Sequence, residues 1–86
     1  MPDVVMYSTG FCPYCVRARM LLDRKGVNYT EIRVDLEPNL REEMIRRSGR
    51  TSVPQIFIDD FHVGGCDDML ALENQSKLDP LLKTAG

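Results

Sequence analysis

Short apolar runs alternate with amphipathic segments along this 86-residue chain. Residues 4–7 are uninterrupted apolar side chains, which is typical of a central strand buried on both faces. Residues 29–34 instead alternate between polar and apolar side chains, and this pattern predicts a half-buried strand. Two further segments rich in apolar residues, at 55–58 and 61–63, predict strands joined as a hairpin by a two-residue link.

The segments between these strands carry apolar residues at the spacing typical of a helix. We expect the first helix to begin at Pro13, because a proline at the first helical position gives up no hydrogen bond, and to end at Gly26. Residues 39–48, opened by Pro38 and followed by Gly49, predict a second helix with acids early and arginines late, an order that complements the helix dipole. The expected buried face of the first helix comprises Tyr14, Ala18, Leu21 and Leu22.

A third helix is predicted after the last strand. Residues 64–65, both glycine, predict a turn, and Asp67 and Asp68 then occupy the first turn of a helix that reaches about residue 74. Residues 79–80 (Asp-Pro) can cap one last short helical turn.

The predicted element order is β-α-β-α-β-β-α, which indicates an α/β fold. Two parallel strands linked by a helix, followed by a hairpin, give a four-stranded mixed sheet flanked by three helices. We expect a single domain over residues 1–86, because the chain has no repeat, low-complexity segment or linker. A chain of this length buries one core, and only just.

Composition narrows the function classes. The net charge is −2 with acids and bases intermixed, so no basic stripe indicates nucleic-acid binding. No apolar run approaches the roughly 18 residues that span a membrane, and the N-terminus lacks the pattern of a signal peptide. We therefore expect a cytoplasmic protein with no membrane partner. Its three cysteines are too few and odd in number for a disulfide scaffold, which leaves redox or metal chemistry.

The pair Cys12 and Cys15 is the strongest chemical feature of the sequence. The two thiols lie one helical turn apart at a predicted helix start, directly after an apolar strand. The unpaired backbone N–H groups and the positive end of the helix dipole there stabilise a thiolate on the first cysteine, which is expected to be the exposed one. The second sulfur is close enough to attack a mixed disulfide on the first. This arrangement indicates thiol–disulfide exchange.

A metal site is the alternative for these cysteines. A four-ligand zinc site would need two more ligands, and the chain offers only Cys66 and His62. His62 is expected to be a surface residue of its strand, and Cys66 a small, partly buried residue with room for regulatory oxidation or glutathionylation. The strand–turn–helix context therefore favours redox chemistry, and no metal ligands are assigned.

Three segments in this order resemble the glutaredoxin family, in particular its dithiol type and its small bacterial members. They are residues 12–15 (Cys-Pro-Tyr-Cys), 51–58 (Thr-Ser-Val-Pro-Gln-Ile-Phe-Ile) and 64–68 (Gly-Gly-Cys-Asp-Asp). The resemblance covers nearly the whole chain and implies a thioredoxin-like fold. It also implies a glutathione-disulfide oxidoreductase that reduces protein disulfides and glutathione mixed disulfides, with glutathione as co-substrate and no tightly bound cofactor.

The resemblance also implies roles for individual residues. Cys12 would be the nucleophile, Cys15 would resolve disulfides on protein substrates, and the two would form the redox-active disulfide. The bond between Val53 and Pro54 would be cis, with the Val53 backbone pairing to the cysteine of glutathione. The implied glutathione-binding residues are Tyr14, Thr51, Val53, Pro54, Gly65, Cys66 and Asp67.

One position departs from the family pattern. Thr9 stands where the family usually has a lysine, three residues before the first cysteine, and Arg41 and Arg50 are the two candidates to replace that cation. The departure keeps one rival open, a redoxin that takes electrons from thioredoxin reductase. A second alternative is an iron–sulfur cluster carrier built from two chains. Proteins of that kind usually lack a proline directly after the first cysteine, the position that Pro13 occupies here.

Expected partners follow from the same resemblance. They are glutathione, glutathione reductase acting indirectly, and glutathionylated or disulfide-bonded proteins, with ribonucleotide reductase as a family-level candidate. No nucleic-acid partner is expected, and we expect a monomer.

Overall fold

The fold alternates strands and helices as the sequence predicts. The computed structural model describes residues 2–83. The strands are β1 (Val4–Ser8), β2 (Tyr29–Arg33), β3 (Gln55–Ile58) and β4 (Phe61–Gly64). The helices are α1 (Pro13–Arg24), α2 (Pro38–Ser48), α3 (Cys66–Asn74) and α4 (Leu78–Lys83). All four strands and the first three helices therefore lie where the patterns placed them.

The four strands form one mixed sheet in the order β2-β1-β3-β4. β1 pairs in parallel with β2 and antiparallel with β3, and β3 pairs antiparallel with β4. The predicted mixed sheet is thus confirmed. β1 lies at its centre and leads directly into the loop before α1, so the pair Cys12 and Cys15 lies at the end of a central strand.

Two clusters of buried side chains cover the two faces of the sheet. Val4 and Met6 of β1 belong to the larger cluster, which α1, α3 and α4 cover. Tyr7 of β1 points to the smaller cluster, which includes Met44 of α2 and Phe57 of β3. This alternation along β1 confirms that the strand is buried on both faces.

The prediction of three helices is wrong, because a fourth follows them. In α4, Leu78 is fully buried and Leu82 is nearly so, and both belong to the larger cluster. Lys25, beside the end of α1, also forms ion pairs with Glu73 of α3 and Asp79 of α4. A six-residue helix is too short to be stable by itself, so packing against α3 decides that it forms.

The predicted buried face of α1 is right for three residues and wrong for Tyr14. The buried residues are Cys15, Ala18, Leu21 and Leu22, whereas Tyr14 is 52% exposed. Cys15 fills the inward position instead, since i and i+3 lie on one helical face as well as i and i+4. Within residues 2–83, no helix has the length and apolar character needed to cross a membrane.

Candidate active site

Cys12 is the N-cap residue of α1. Its backbone is extended, with φ −147° and ψ 104°, and its Sγ accepts a hydrogen bond from the backbone N–H of Cys15 at 3.1 Å. Pro13 follows as the first helical residue, where its missing N–H leaves no bond unmade. The sulfur therefore lies at the positive end of the helix dipole, beside the first backbone N–H groups of α1.

The two thiols of the motif differ in environment. Cys12 is 9% exposed and Cys15 is fully buried, so the first sulfur is the more accessible, as the spacing predicts. Burial raises the pKa of Cys15 to about 12, and the hydrogen bond and charge of Cys12 add to this effect. Both cysteines are free thiols here. At neutral pH Cys15 therefore remains protonated while Cys12 accepts hydrogen bonds.

The loop between β1 and Cys12 is tied to the segment after β2. The backbone N–H of Gly10 donates to Asp35 Oδ2 at 3.2 Å, and Arg33 binds the same carboxylate through two hydrogen bonds. The Arg33 guanidinium holds the pKa of Asp35 well below its usual range. A Cβ at Gly10 would lie 2.5 Å from Arg33 Nη2, so a side chain there would displace this clamp.

The peptide bond between Val53 and Pro54 is cis, as the resemblance implies. Pro54 is buried and Val53 is half-buried. The carbonyl O of Val53 lies 3.8 Å from Cys12 Sγ, at a distance where the thiol can donate to it. The loop before β3 and the sulfur of Cys12 are therefore direct neighbours.

A cavity of about 390 Å³ opens between this loop, the start of α1 and the start of α3. We call it the active-site pocket. Its lining residues are Tyr14, Arg50, Ser52, Val53, Pro54, Gly65, Cys66, Asp67 and Asp68. Six of the seven residues that the resemblance assigns to glutathione binding are thus gathered around one cavity. Thr51 is exposed and is not among the lining residues; its carbonyl O accepts from Arg41 Nη2 at 3.2 Å.

Ser52 and Asp68 line the pocket without having been assigned to it from the sequence, and Arg50, considered there only as a substitute cation, lines it too. Asp68 Oδ2 accepts from the backbone N–H of Gly65 and from Arg50 Nη1, both at 2.9 Å. The hydrogen bond from Gly65 is the larger cause, and that from Arg50 the second, of a pKa of Asp68 below its usual value. The spacing of Gly65 and Asp68 is the capping-box spacing, which was the available signal for this contact.

Arg41 and Arg50 are the two candidates to replace the absent lysine. Of these, Arg50 lies at the active-site pocket. Its guanidinium is half exposed and already pairs with Asp68. Arg41 instead binds the Thr51 backbone. The positive charge at this site therefore comes from the loop before the cis proline rather than from position 9.

Cys66 is the first residue of α3 and is 3% exposed. Burial, followed by the nearby charge of Asp67, raises its pKa. These properties agree with the expectation of a small buried residue, and they give its thiol little reactive character at neutral pH.

His62 is half-buried rather than openly exposed on its strand. Its Nε2 lies 2.7 Å from Gln55 Oε1, and its ring stacks on Phe57. Within the described range 2–83, no group of three or more His, Cys, Asp or Glu side chains is placed to hold a metal ion. The zinc alternative therefore gains no support from the arrangement of Cys12, Cys15, Cys66 and His62.

Comparison with known proteins gives a consistent result. The family model described as Glutaredoxin matches residues 4–63. The glutaredoxin of Pseudomonas aeruginosa is 58% identical over 82 residues, which cover 95% of this chain and 98% of that protein. Glutaredoxin 3 of Escherichia coli strain K12 is 57% identical over 83 residues, which cover 96% of this chain and 100% of that protein.

A solved structure with the same architecture is that of a buckwheat glutaredoxin–glutathione complex. It superposes with a TM-score of 0.89 at 31% sequence identity, covering 96% of this chain and 78% of the other. The likeness confirms the expected thioredoxin-like fold.

Proposed function

Because this chain belongs to the glutaredoxin family and is a thiol–disulfide oxidoreductase, we propose that glutathione is its co-substrate and that it reduces glutathione mixed disulfides and protein disulfides. The observation that carries the proposal is the active-site pocket beside Cys12. A relative of the same fold, from buckwheat, has been solved with glutathione bound.

The chemistry of the pocket suits an extended acidic tripeptide. Its volume lies within the range of about 300–1,000 Å³ typical of small-molecule sites. The N-terminus of α3 offers backbone N–H groups to a carboxylate, and exposed Asp67 offers its own carboxylate to an ammonium group. The backbone of Val53 is available to pair with a peptide strand. A γ-glutamyl group at α3 would leave the ligand's sulfur beside Cys12.

The first reaction reduces a glutathione mixed disulfide. The Cys12 thiolate attacks the glutathione sulfur, a Cys12–glutathione disulfide forms, and the substrate leaves as a thiolate that takes up a proton. The thiolate of one glutathione then attacks the glutathione sulfur on Cys12. This step releases glutathione disulfide and restores the Cys12 thiolate. In the net reaction the substrate sulfur is reduced and the sulfur of the incoming glutathione is oxidised, while the glutathione sulfur of the mixed disulfide stays in a disulfide.

The second reaction reduces a protein disulfide and needs Cys15. Cys12 forms a mixed disulfide with the substrate, and Cys15 then attacks Cys12, which releases the reduced protein and leaves a Cys12–Cys15 disulfide. Two glutathione molecules reduce that bond. The hydrogen bond and charge of Cys12 help to raise the pKa of Cys15. Both are lost once Cys12 is in a disulfide, so Cys15 deprotonates more readily at the step where it must attack.

The cellular setting is also a proposal. We place the protein in the cytoplasm as a monomer, where glutathione reductase would regenerate glutathione from its disulfide. Glutathionylated proteins and disulfide-bonded enzymes such as ribonucleotide reductase are the proposed protein partners.

The test is turnover of a glutathionylated peptide with glutathione, glutathione reductase and NADPH. Wild type and Cys15→Ser should both be active, whereas Cys12→Ser should be inactive. With an intramolecular protein disulfide as substrate, Cys15→Ser should lose activity as well. Turnover that needs thioredoxin reductase in place of glutathione would overturn the proposal in favour of the redoxin alternative.

A further inference from the structure

Three polar side chains connect β4 to the loop that carries the cis proline. His62 Nε2 lies 2.7 Å from Gln55 Oε1. Gln55 Nε2 donates to the carbonyl O of Ser52 at 3.0 Å and to its Oγ at 3.3 Å. Gln55 is fully buried, so its amide depends on these protein partners. We call this chain the His62–Gln55–Ser52 relay, and its last member lines the active-site pocket.

The direction of each hydrogen bond in the relay is fixed by the Ser52 carbonyl. A carbonyl oxygen only accepts, so the Gln55 amide must turn its NH₂ group toward Ser52 and its oxygen toward His62. The Gln55 oxygen also only accepts, which requires a proton on His62 Nε2. The neutral imidazole in this site is therefore the Nε2–H tautomer.

The His62 ring is held by packing as well. It stacks on Phe57 with ring centroids 4.7 Å apart and an angle of 22° between the planes. Phe57 pairs with His62 in the register set by the two-residue turn between β3 and β4, and the register shifts only at the next pair, Ile56 and Gly64. Gln55, two residues before Phe57, projects from the same face of β3. The pairing of the two strands thus places a β4 side chain diagonally across from the first residue after the cis proline.

We propose that His62 is a positioning residue for the glutathione-binding loop: it orients the buried Gln55 amide, which holds Ser52 and thereby sets the Val53 backbone that faces the ligand. The proposal rests on the proposed function, because the loop is taken to bind glutathione. His62 is not among the residues that line the active-site pocket. Its loss should therefore weaken ligand capture rather than the chemistry at Cys12.

Charged groups around His62 leave the relay intact across neutral pH. Burial lowers the pKa of His62, and Arg50 and Arg47 act in the same direction while Asp68 opposes them. The ring is thus mainly neutral at pH 7, and both the neutral Nε2–H form and the charged form donate from Nε2.

Two variants separate the hydrogen bond from the packing. His62→Phe keeps an aromatic ring against Phe57 but removes the donor, whereas His62→Gln can place an amide N–H near the position of Nε2. Phe61→Ala is the matched control, because it alters the neighbouring, half-exposed residue of β4 outside the relay. For each protein, KM and kcat are measured for the glutathionylated peptide, and the backbone amide resonances of Ser52 and Val53 are recorded without ligand.

We expect His62→Phe to raise KM about tenfold, since it leaves a buried acceptor unpaired, with kcat changed by less than about twofold. The Ser52 and Val53 resonances should shift in His62→Phe and return toward wild type in His62→Gln, whose KM should also recover. Unchanged KM and resonances in His62→Phe would overturn the proposal, as would a loss confined to kcat.

A further measurement needs no variant. The imidazole ¹⁵N shifts of wild type report the tautomer, and an Nδ1–H ring would overturn the relay even if His62→Phe failed to fold. The resonance shifts and the tautomer are recorded without glutathione. A wild type that does not use glutathione would therefore refute the proposed function, while these two readouts would still decide whether the relay exists.

Discussion

The backbone N–H of Cys15 donates to the Sγ of Cys12 across 3.1 Å, so the first sulfur is tied to the backbone of the second cysteine one turn along α1. Burial is the largest cause of the raised pKa of Cys15, and the side-chain hydrogen bond and the charge of Cys12 raise it further. The state of the first cysteine therefore contributes to how easily the second one ionises.

The coupling predicts a shift in the titration of Cys15 when Cys12 is removed. In Cys12→Ala the pKa of Cys15 should fall below its wild-type value of about 12, because the contacts that favour the thiol form are gone. The Cβ chemical shift of Cys15 against pH measures this change. Cys66→Ala is the control and should leave the titration where it was. An equal titration midpoint in wild type and Cys12→Ala would show that burial acts alone.

Glu31 links β2 to α1 and predicts a pH-dependent contribution to stability. Its carboxylate accepts two hydrogen bonds from Arg19 and one from Ser8 Oγ, and the Arg19 contact is the main reason that its pKa is lowered. A lowered pKa stabilises the fold above the unfolded value of about 4.3. That stability is lost as pH falls through the lower, folded value.

Glu31→Gln should therefore reduce the free energy of unfolding by about 1 kcal/mol at pH 7. The difference from wild type should shrink toward zero at a pH below the folded pKa. Urea unfolding at neutral and acidic pH measures it, with Glu42→Gln on the exposed face of α2 as the control. A difference that does not vary with pH would contradict a role for the charge of Glu31.

Gly64 lies next to Asp68, which lines the active-site pocket, and a side chain at position 64 would displace Asp68. The φ of Gly64 is +109°, and a Cβ there would lie 2.3 Å from Asp68 Oδ2. Gly64→Ala should lower the free energy of unfolding by about 1–3 kcal/mol because the backbone is strained and Asp68 is displaced. Gly26→Ala is a matched control: its φ is +68°, but the new Cβ would have nothing within 4 Å. Equal losses in urea unfolding of the two variants would contradict the predicted clash with Asp68.

Leu78 anchors α4, which the sequence pattern indicated only as a possible last helical turn at residues 79–80 and did not count among the three helices. Its side chain is fully buried, so Leu78→Ala should lower the free energy of unfolding by about 2–5 kcal/mol. Leu36→Ala, at a side chain that is 68% exposed, should change it by no more than about 0.5 kcal/mol. Chemical denaturation of both variants measures the contrast. A small effect at Leu78 would mean that α4 adds little to the core.

Local pattern was enough to place most of the elements. The apolar run before the motif predicted β1, the alternation at 29–34 predicted β2, and Pro13, Pro38 and Gly49 marked helix ends that the structure confirms. These signals are readable because strand burial, helix starts and left-handed caps depend on residues close together in the chain.

Only part of the candidate site could be predicted from the sequence. Resemblance supplied Val53, Gly65 and Asp67, but not Arg50 or Ser52 as pocket residues. Thr51 was expected in the pocket and lies outside its lining. Each of these positions depends on how the loop before the cis proline meets the start of α3, two segments that are distant in sequence.

The sequence by itself determined the redox pair, the strand that leads to it and the order of the elements, because spacing within one helical turn fixes where Cys12 and Cys15 lie. Tertiary structure alone decided that Cys15 rather than Tyr14 faces inward and that α4 forms. It also decided that His62 reaches Gln55. Those outcomes depend on how side chains from different elements pack against one another, which local sequence does not specify.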